Sequence, residues 1–320
     1  MQRVALRLAA IVFALGAAIP ASAQNYPTRP IKVLVSTAPG GLLDLLPRVL
    51  GQKITEATGQ PVIIENKTGG NGAVAGAEFA KSAPDGYTLM GAFHGVNAIL
   101  PHMTTLTFDP REFEPIVHFL SVPTILVVHP SLPVESVQEL IAYGKANPGK
   151  LTYASQGVGS GGHLAAELFK QNTGLDITHV PFRGAAPAAQ ALLGGQVSIM
   201  FDNVTLAAES VKAGRIRALG LAAKSRNATL PDVPTFAEKG QPLEVSAWFG
   251  LMAPTGTPPA IIQWLNREAN KTFTTPEVRD RFLAQGAELP LGTPEDFRAF
   301  IDLEYRKWGP VITRANIRVN

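Results

Sequence analysis

Cysteine is absent from the 320 residues. That excludes a disulfide framework, a thiolate metal site, a cysteine nucleophile and a lipidated cysteine. Charge of one sign is also lacking, with 28 Lys and Arg against 25 Asp and Glu and a formal net charge of +3. There is no basic run with interleaved aromatics, so nucleic acid is not an expected partner. Charged residues make up only 17% and hydrophobic ones 46%, which excludes a largely disordered chain. The six histidines, at 94, 102, 118, 129, 163 and 179, show no metal-ligand spacing. HExxH, Gly-x-Ser-x-Gly and Walker motifs are missing too, so no metal, no cofactor and no catalytic residue is expected. The one long apolar run, Leu8 to Ile19, falls short of the roughly 20 residues a membrane-spanning helix needs.

That run follows Arg3 and Arg7 and ends at Pro20-Ala21-Ser22-Ala23. A basic start, a short apolar stretch and small residues at the exit read as a secretory signal peptide over residues 1–23. The mature chain then begins at Gln24 with its charges close to balance. A cysteine-free exported protein best fits the periplasm of a Gram-negative cell.

Glycine (30) and proline (26) are plentiful, and the length suits two domains. Strands are expected at Ile31–Val35, Pro61–Glu65 and Tyr87–Met90, with helices at about Leu42–Thr58 and from Gly70 to about Lys81. The pattern restarts with strands at Leu151–Ala154, Ile177–Val180 and Val197–Phe201 and helices at His163–Asn172 and Ala186–Leu193. Strands alternating with helices indicate α/β domains with mainly parallel sheets. Phe113–Pro130 contains two apolar runs split near Pro123, and Val245–Pro254 contains Trp248-Phe249-Gly250. If both are crossings, the first domain comprises residues 24–122 and 248–320, and the second comprises 123–247. The last third is expected to be helical over Pro259–Thr272, Pro276–Gln285 and Pro294–Ile312. Two α/β domains joined twice can close like a clam about their crossings.

A strand that runs into glycines and then a helix leaves the amides of the first turn unpaired at the cleft. The helix dipole adds partial positive charge there, so such turns bind anions, carboxylates included. Candidate turns are Gly40-Gly41, Gly70-Asn71-Gly72 and Gly157 to Gly162. Gly157-x-Gly159-x-x-Gly162 also fits a dinucleotide fingerprint by its letters. The acidic residue that should end the next strand is missing, however, because Asp176 begins it. His94 and Asp202 follow strands and are expected at the cleft edge, with surface packing and loop hydrogen bonds as their plain alternatives. Asp44 is expected chiefly to accept from amides of the first loop, and His163 either to close its turn or to meet a ligand.

These residues resemble the extracytoplasmic solute-binding proteins of tripartite tricarboxylate transporters, the Bordetella uptake gene family. The resemblance rests on Tyr26-Pro27-x-Arg29-Pro30-Ile31, Pro39-Gly40-Gly41-x-x-Asp44, Gly59-Gln60-Pro61-Val62 and Ala83-Pro84-Asp85-Gly86-Tyr87-Thr88. It continues through Gly162-His163-Leu164, Pro181-Phe182-Arg183-Gly184, Phe201-Asp202-Asn203 and Trp248-Phe249-Gly250. It implies a type II periplasmic binding-protein fold, two α/β domains joined by two crossing strands. It also implies capture of a small carboxylate for the membrane permease subunits of a tripartite transporter, by a protein expected to work as a monomer. The ligand-binding residues it implies are Gly40, Gly41, Leu42, Leu43 and Asp44 in the first loop and Phe93 and His94 after the third strand. In the second domain they are Ser155, Gly157, Gly159, Ser160, His163, Arg183 and Asp202.

Two departures bear on the ligand. Leu42-Leu43 stands where the family often has a small polar residue before the aspartate, and Ala92-Phe93-His94-Gly95 replaces a small polar loop. Both suggest an acid with an apolar or aromatic body. The alternatives are an exported ligand sensor or a hydrolase on the same scaffold. For the hydrolase, Ser160 and His163 are the nearest nucleophile–base pair, without an evident third partner.

Overall fold

The computed structural model describes residues 26–318, so the leader read over residues 1–23 lies outside them. β1 (Ile31–Val35) is buried at four of its five positions. Parallel neighbours flank it on both sides, and helices cover the sheet, as a near-continuous apolar strand requires. α1 (Leu42–Thr58) follows, burying Leu43, Leu46, Leu50 and Ile54 at helical spacing. Gly59 ends it at φ +74°, donating its amide to the Thr55 carbonyl at 2.9 Å. β2 (Val62–Asn66), α2 (Ala73–Phe79) and β3 (Thr88–Phe93) complete the first βαβ pattern.

After β3 the chain makes one π-helical segment, Gly95–Ile99, and a 3-10 turn, Leu100–His102. Neither was expected from the sequence. Asn97 holds the segment: its Oδ1 accepts from the Phe93 amide at 3.1 Å, and its Nδ2 meets Met252 Sδ at 3.1 Å.

The two apolar runs around Pro123 form a single strand, β4 (Glu114–Val128). Its first part, through Pro123, pairs antiparallel with β9. From Thr124 onward it pairs with β7 and β8. One strand therefore belongs to two sheets, and Pro123 can occupy it because the pairing changes partner there. The second lobe contains α3 (Val137–Ala146), β5 (Leu151–Ser155), α4 (Gly161–Thr173) and β6 (Ile177–Pro181). α5 (Ala185–Leu193), β7 (Ile199–Asn203), α6 (Val204–Lys212) and β8 (Arg217–Ala222) follow. β9 (Ser246–Ala253) carries the chain back, with Ser246 opposite Pro123. The strand order is β2-β1-β3-β9-β4-β7-β5-β6, with β8 also on β4.

The last third is helical as expected: α7 (Pro259–Thr274), α8 (Pro276–Leu283) and α9 (Pro294–Arg314). α9 starts with a capping box in which Thr293 and Asp296 satisfy each other's amides. It ties the lobes together. Glu304 accepts from the indoles of Trp248 at 3.2 Å and Trp308 at 3.1 Å, and Gln171 on α4 donates to the Val311 carbonyl at 3.1 Å. One apolar core runs from Leu34 and Phe79 through Trp248 and Trp308 to Phe169 and Phe201.

Candidate functional site

Between the lobes lies a cavity of about 220 Å³. Lobe one contributes Asn71, Phe93, His94, Gly95, Ile99, Leu100 and Met103, and lobe two contributes Gln156 through Ser160. Five sequence-predicted residues line it: Phe93, His94, Gly157, Gly159 and Ser160. The lining contains no lysine or arginine.

Polar atoms without partners lie in the lobe-one wall, at His94, and outside the cavity lining, at Ser36 and Thr37. Among the described residues, four buried side-chain polar atoms lack a hydrogen-bond partner, and three of them are Ser36 Oγ, Thr37 Oγ1 and His94 Nδ1. These residues follow the adjacent strands β1 and β3. Ser36 Oγ and the Phe93 ring both flank Gly72, where a Cβ would stand 3.4 Å from the hydroxyl and 3.3 Å from the ring. Burial pushes the His94 imidazole down to about 4, so its ring is neutral near pH 7. Phe93 and Phe249 flank it edge-on, with ring centroids 5.4 and 6.4 Å away.

Asp44 does not reach the cavity. Its carboxylate accepts from the Gly40 amide at 3.0 Å, from Arg48 at 2.8 and 3.0 Å and from Asn66 at 3.0 Å. The Arg48 hydrogen bonds hold it down at about 2. It fixes the loop in which Gly40 adopts φ +98°. Leu43 is 2% exposed and belongs to the lobe-one core against Gly91, so it adds no apolar surface to the cavity. Leu42 is half-buried against that core. Gly41 and Gly40 are exposed, and the amides of Gly41, Leu42 and Leu43 find no acceptor among the described residues.

The lobe-two wall differs from the expectation of bare amides. Gly157 donates to Ser155 Oγ at 3.2 Å, and Gly159 donates to His163 Nδ1 at 3.0 Å. Both glycines have positive φ, +135° and +77°. A chain turned that tightly brings its own side chains onto its amides. Ser155 Oγ also meets His179 Nε2 at 2.7 Å. The His163 and His179 rings stack at 4.0 Å, with the Tyr153 ring 4.7 Å from His179 and 6.2 Å from His163. Burial first, then the neighbouring His179, keeps His163 neutral, pushed down to about 4. Ser155 and His163 thus lie behind the wall. Asp202, pushed up to about 6 by burial, accepts from the Asn203 amide at 2.8 Å and from Gln156 Nε2 at 3.3 Å. It reaches the cavity only through Gln156. Arg183 is exposed and does not line the cavity; it follows Phe182, whose carbonyl lies beside Gly157.

Sequence reasoning missed Ser36, Thr37 and Met103, and it reached Asn71 and Gln156 only as members of candidate loops, not as site residues. The two hydroxyls were findable, since a buried strand running directly into Ser-Thr places them at its cleft end. Met103 was not, because its position depends on the unforeseen π-helical segment.

Residues 46–317 match the model of the tripartite tricarboxylate transporter family receptor, TctC. The chain is 36% identical to the protein BugT of Bordetella pertussis, over all of this chain and 99% of the relative. An R. palustris protein solved with adipate superposes with a TM-score of 0.78 at 35% identity, over 92% of this chain and 99% of that one. MatC from Rhodopseudomonas palustris, solved with bound malate, gives 0.75 at 32% identity, over 90% and 100%. These likenesses carry the two-lobed α/β solute-binding fold as well as the sequence motifs. The chain belongs to the tripartite tricarboxylate transporter receptor family, that of the Bug proteins.

Proposed function

We propose that the protein closes its lobes on a small carboxylate with an apolar or aromatic body and delivers it unaltered to the permease subunits of a tripartite transporter. The observation that carries this reading is the set of three partnerless buried atoms, Ser36 Oγ, Thr37 Oγ1 and His94 Nδ1. Buried polar groups are nearly always bonded, and a bound acid would supply what these lack. The amides heading α1 and α4 and their helix dipoles would offset its charge in a cavity with no cationic side chain. Phe93, Ile99 and Leu100 give the acid's body an apolar seat. Relatives solved with adipate and malate support a carboxylate as the ligand class.

The hydrolase alternative is less well supported. Ser160 caps α4, accepting from the His163 amide at 3.4 Å, and His163 Nδ1 already accepts from Gly159. That leaves no nucleophile–base contact. The family is one of periplasmic binding proteins, and we extend to this chain a leader removed after Ala23 and a monomeric working form. We place the domain boundaries at residues 24–122 with 248–320, and 123–247. The change of β4 partner after Pro123 and the return at Ser246 support them.

Thermal-shift and calorimetric screening against mono- and dicarboxylates, aliphatic and aromatic, tests the reading. A bound acid raises the melting temperature by mass action and is recovered unchanged. Tight citrate binding with no response to benzoate-type acids would defeat the apolar-body assignment.

A further inference from the structure

We propose that Met103 is a size gate that sets how long an acid the closed protein accepts, an inference that rests on the carboxylate reading above. Met103 follows the 3-10 turn of lobe one and is 3% exposed. Its methyl group touches lobe two at Gly159, so closely that a Cβ on that glycine would collide with Met103 Cε. The cavity is therefore closed, on this side, by one flexible thioether resting on bare backbone.

The residue is firmly placed. The Met103 amide donates to the Leu100 carbonyl at 3.0 Å. The preceding His102 bonds through Nε2 to the Tyr305 carbonyl of α9 at 2.9 Å, and its ring lies 4.2 Å from the Tyr305 ring. Gly309, one turn further along α9, leaves room for that imidazole: a Cβ there would come within 3.0 Å of it. The backbone of residue 103 is thus clasped to a helix that also touches lobe two, and only its side chain is free to yield. An acid short enough to fit leaves the Met103–Gly159 contact intact. A longer one must push the thioether off Gly159 and part the lobes. Ile99 and Phe93 pack in or against the same apolar core as Met103, but they lack the unbranched, rotatable thioether that lets Met103 yield.

The test uses the full mature chain and two homologous series, straight-chain monocarboxylates from butanoate to decanoate and benzoates with lengthening 4-alkyl groups. Calorimetry on the unaltered protein is expected to show affinity rising with each carbon and then dropping about tenfold at the first acid too long for the cavity. In Met103→Ala the drop moves later by roughly two carbons, the reach of the trimmed arm, while shorter acids change little. Met103→Leu, of similar volume, keeps the original limit. Should the alanine variant melt below the assay temperature, Met103→Val must still move the limit by a carbon. An unchanged limit in the trimmed variants, or the same loss for every acid, overturns the gate while leaving the carboxylate reading intact. Binding of no acid by the unaltered protein overturns both.

Discussion

In the loop after β5 the positive-φ glycines Gly157 and Gly159 have acceptors of their own, Ser155 Oγ and His163 Nδ1. In the loop after β1 two buried hydroxyls have none. The same strand–glycine–helix grammar thus gives one wall whose glycine turn is bonded internally before any ligand arrives and another that leaves buried side-chain atoms unpaired. A complete wall keeps its shape in the open form. An incomplete wall keeps its free energy in reserve, because buried polar groups gain most from a partner that only the closed complex supplies. On the proposed reading, lobe two provides shape and lobe one provides the grip. Substitutions on the two walls should then separate stability from affinity.

The largest effect is expected on the finished wall. His163→Ala removes the acceptor of the Gly159 amide and one ring of the His163–His179 stack. Deleting a buried ring and orphaning an amide should cost about 3 kcal/mol of folding stability. Urea unfolding of the ligand-free protein measures it. A variant as stable as the original would show that the loop holds itself without the histidine and would erase the contrast between the walls.

Acid should act next. His94, His118 and His163 are each pushed down to about 4 by burial, from an ordinary value of 6.5. As pH falls below 6.5 the unfolded chain takes up protons that the folded chain refuses. The stability these histidines contribute is whole above pH 6.5 and is lost progressively toward pH 4. Around His163 the charged and titratable neighbours are His179 stacked on it, Glu167 and Lys170 on its own helix, and the Tyr153 hydroxyl bonded to Glu167 at 2.8 Å. Asp202 works the other way. Raised from 3.8 to about 6, it keeps a proton that the unfolded chain releases, so its contribution is present below pH 3.8 and fades as pH rises through 6. Three histidines outweigh one carboxyl, and Asp44, lowered to about 2, adds its own loss only below pH 3.8. Urea midpoints should be flat above pH 6.5 and fall below it. A midpoint that rises on mild acidification would mean the histidines are not buried neutral.

On the unfinished wall the expected loss is in affinity. Ser36→Ala and Thr37→Val each remove a polar atom that the ligand-free protein leaves unpaired, so folding stability should hold or rise slightly. Binding of the best acid should weaken by about tenfold, the worth of one hydrogen bond to a charged group. Equal affinity in both variants would move the grip elsewhere, and a large loss of stability would mean that the hydroxyls have partners in solution.

Most of the scaffold was legible because local signals and global packing agree. Gly59 and Gly174 end helices at positive φ, and Pro259, Pro276 and Pro294 begin them. The buried strands β1 and β5 read directly from their apolar runs. The site was legible at the level of loops and less so at the level of atoms. That Gly40, Gly157 and Gly159 lie in tight turns follows from composition. Asp44 is expected from the sequence to accept from first-loop amides, and the Gly40 amide donates to it. For His163 the sequence leaves closing its turn and meeting a ligand both open, and that Ser155 folds back onto the Gly157 amide depends on side-chain reach that spacing alone does not fix. Leu43 looked like pocket surface because it adjoins the glycine turn, but helical phase turns it inward toward Gly91. The π-helical segment after β3 has no sequence signature of its own. Asn97 and the packing of α9 impose it, and with it the positions of Ile99, Leu100 and Met103.

The smallest effect is expected outside the cavity lining, in the loop beside the lobe-two wall, where Arg183 tests how far the contrast extends. Its loop is pinned to the finished wall, with the Phe182 amide on the Ser155 carbonyl at 3.0 Å and the Gly184 amide on the Gln156 carbonyl at 3.1 Å. Its side chain is exposed and has no acidic partner among the described residues. A group so placed cannot anchor a buried carboxylate, but it can meet a second one projecting from the cavity. Arg183→Ala should weaken adipate roughly threefold at low salt, and the difference should vanish at high salt, because an exposed pair is weak and screened. Benzoate, with a single carboxylate held inside, should not respond. If benzoate lost as much as adipate, the anchored carboxylate would lie against lobe two, and the partnerless atoms of lobe one would not be its grip.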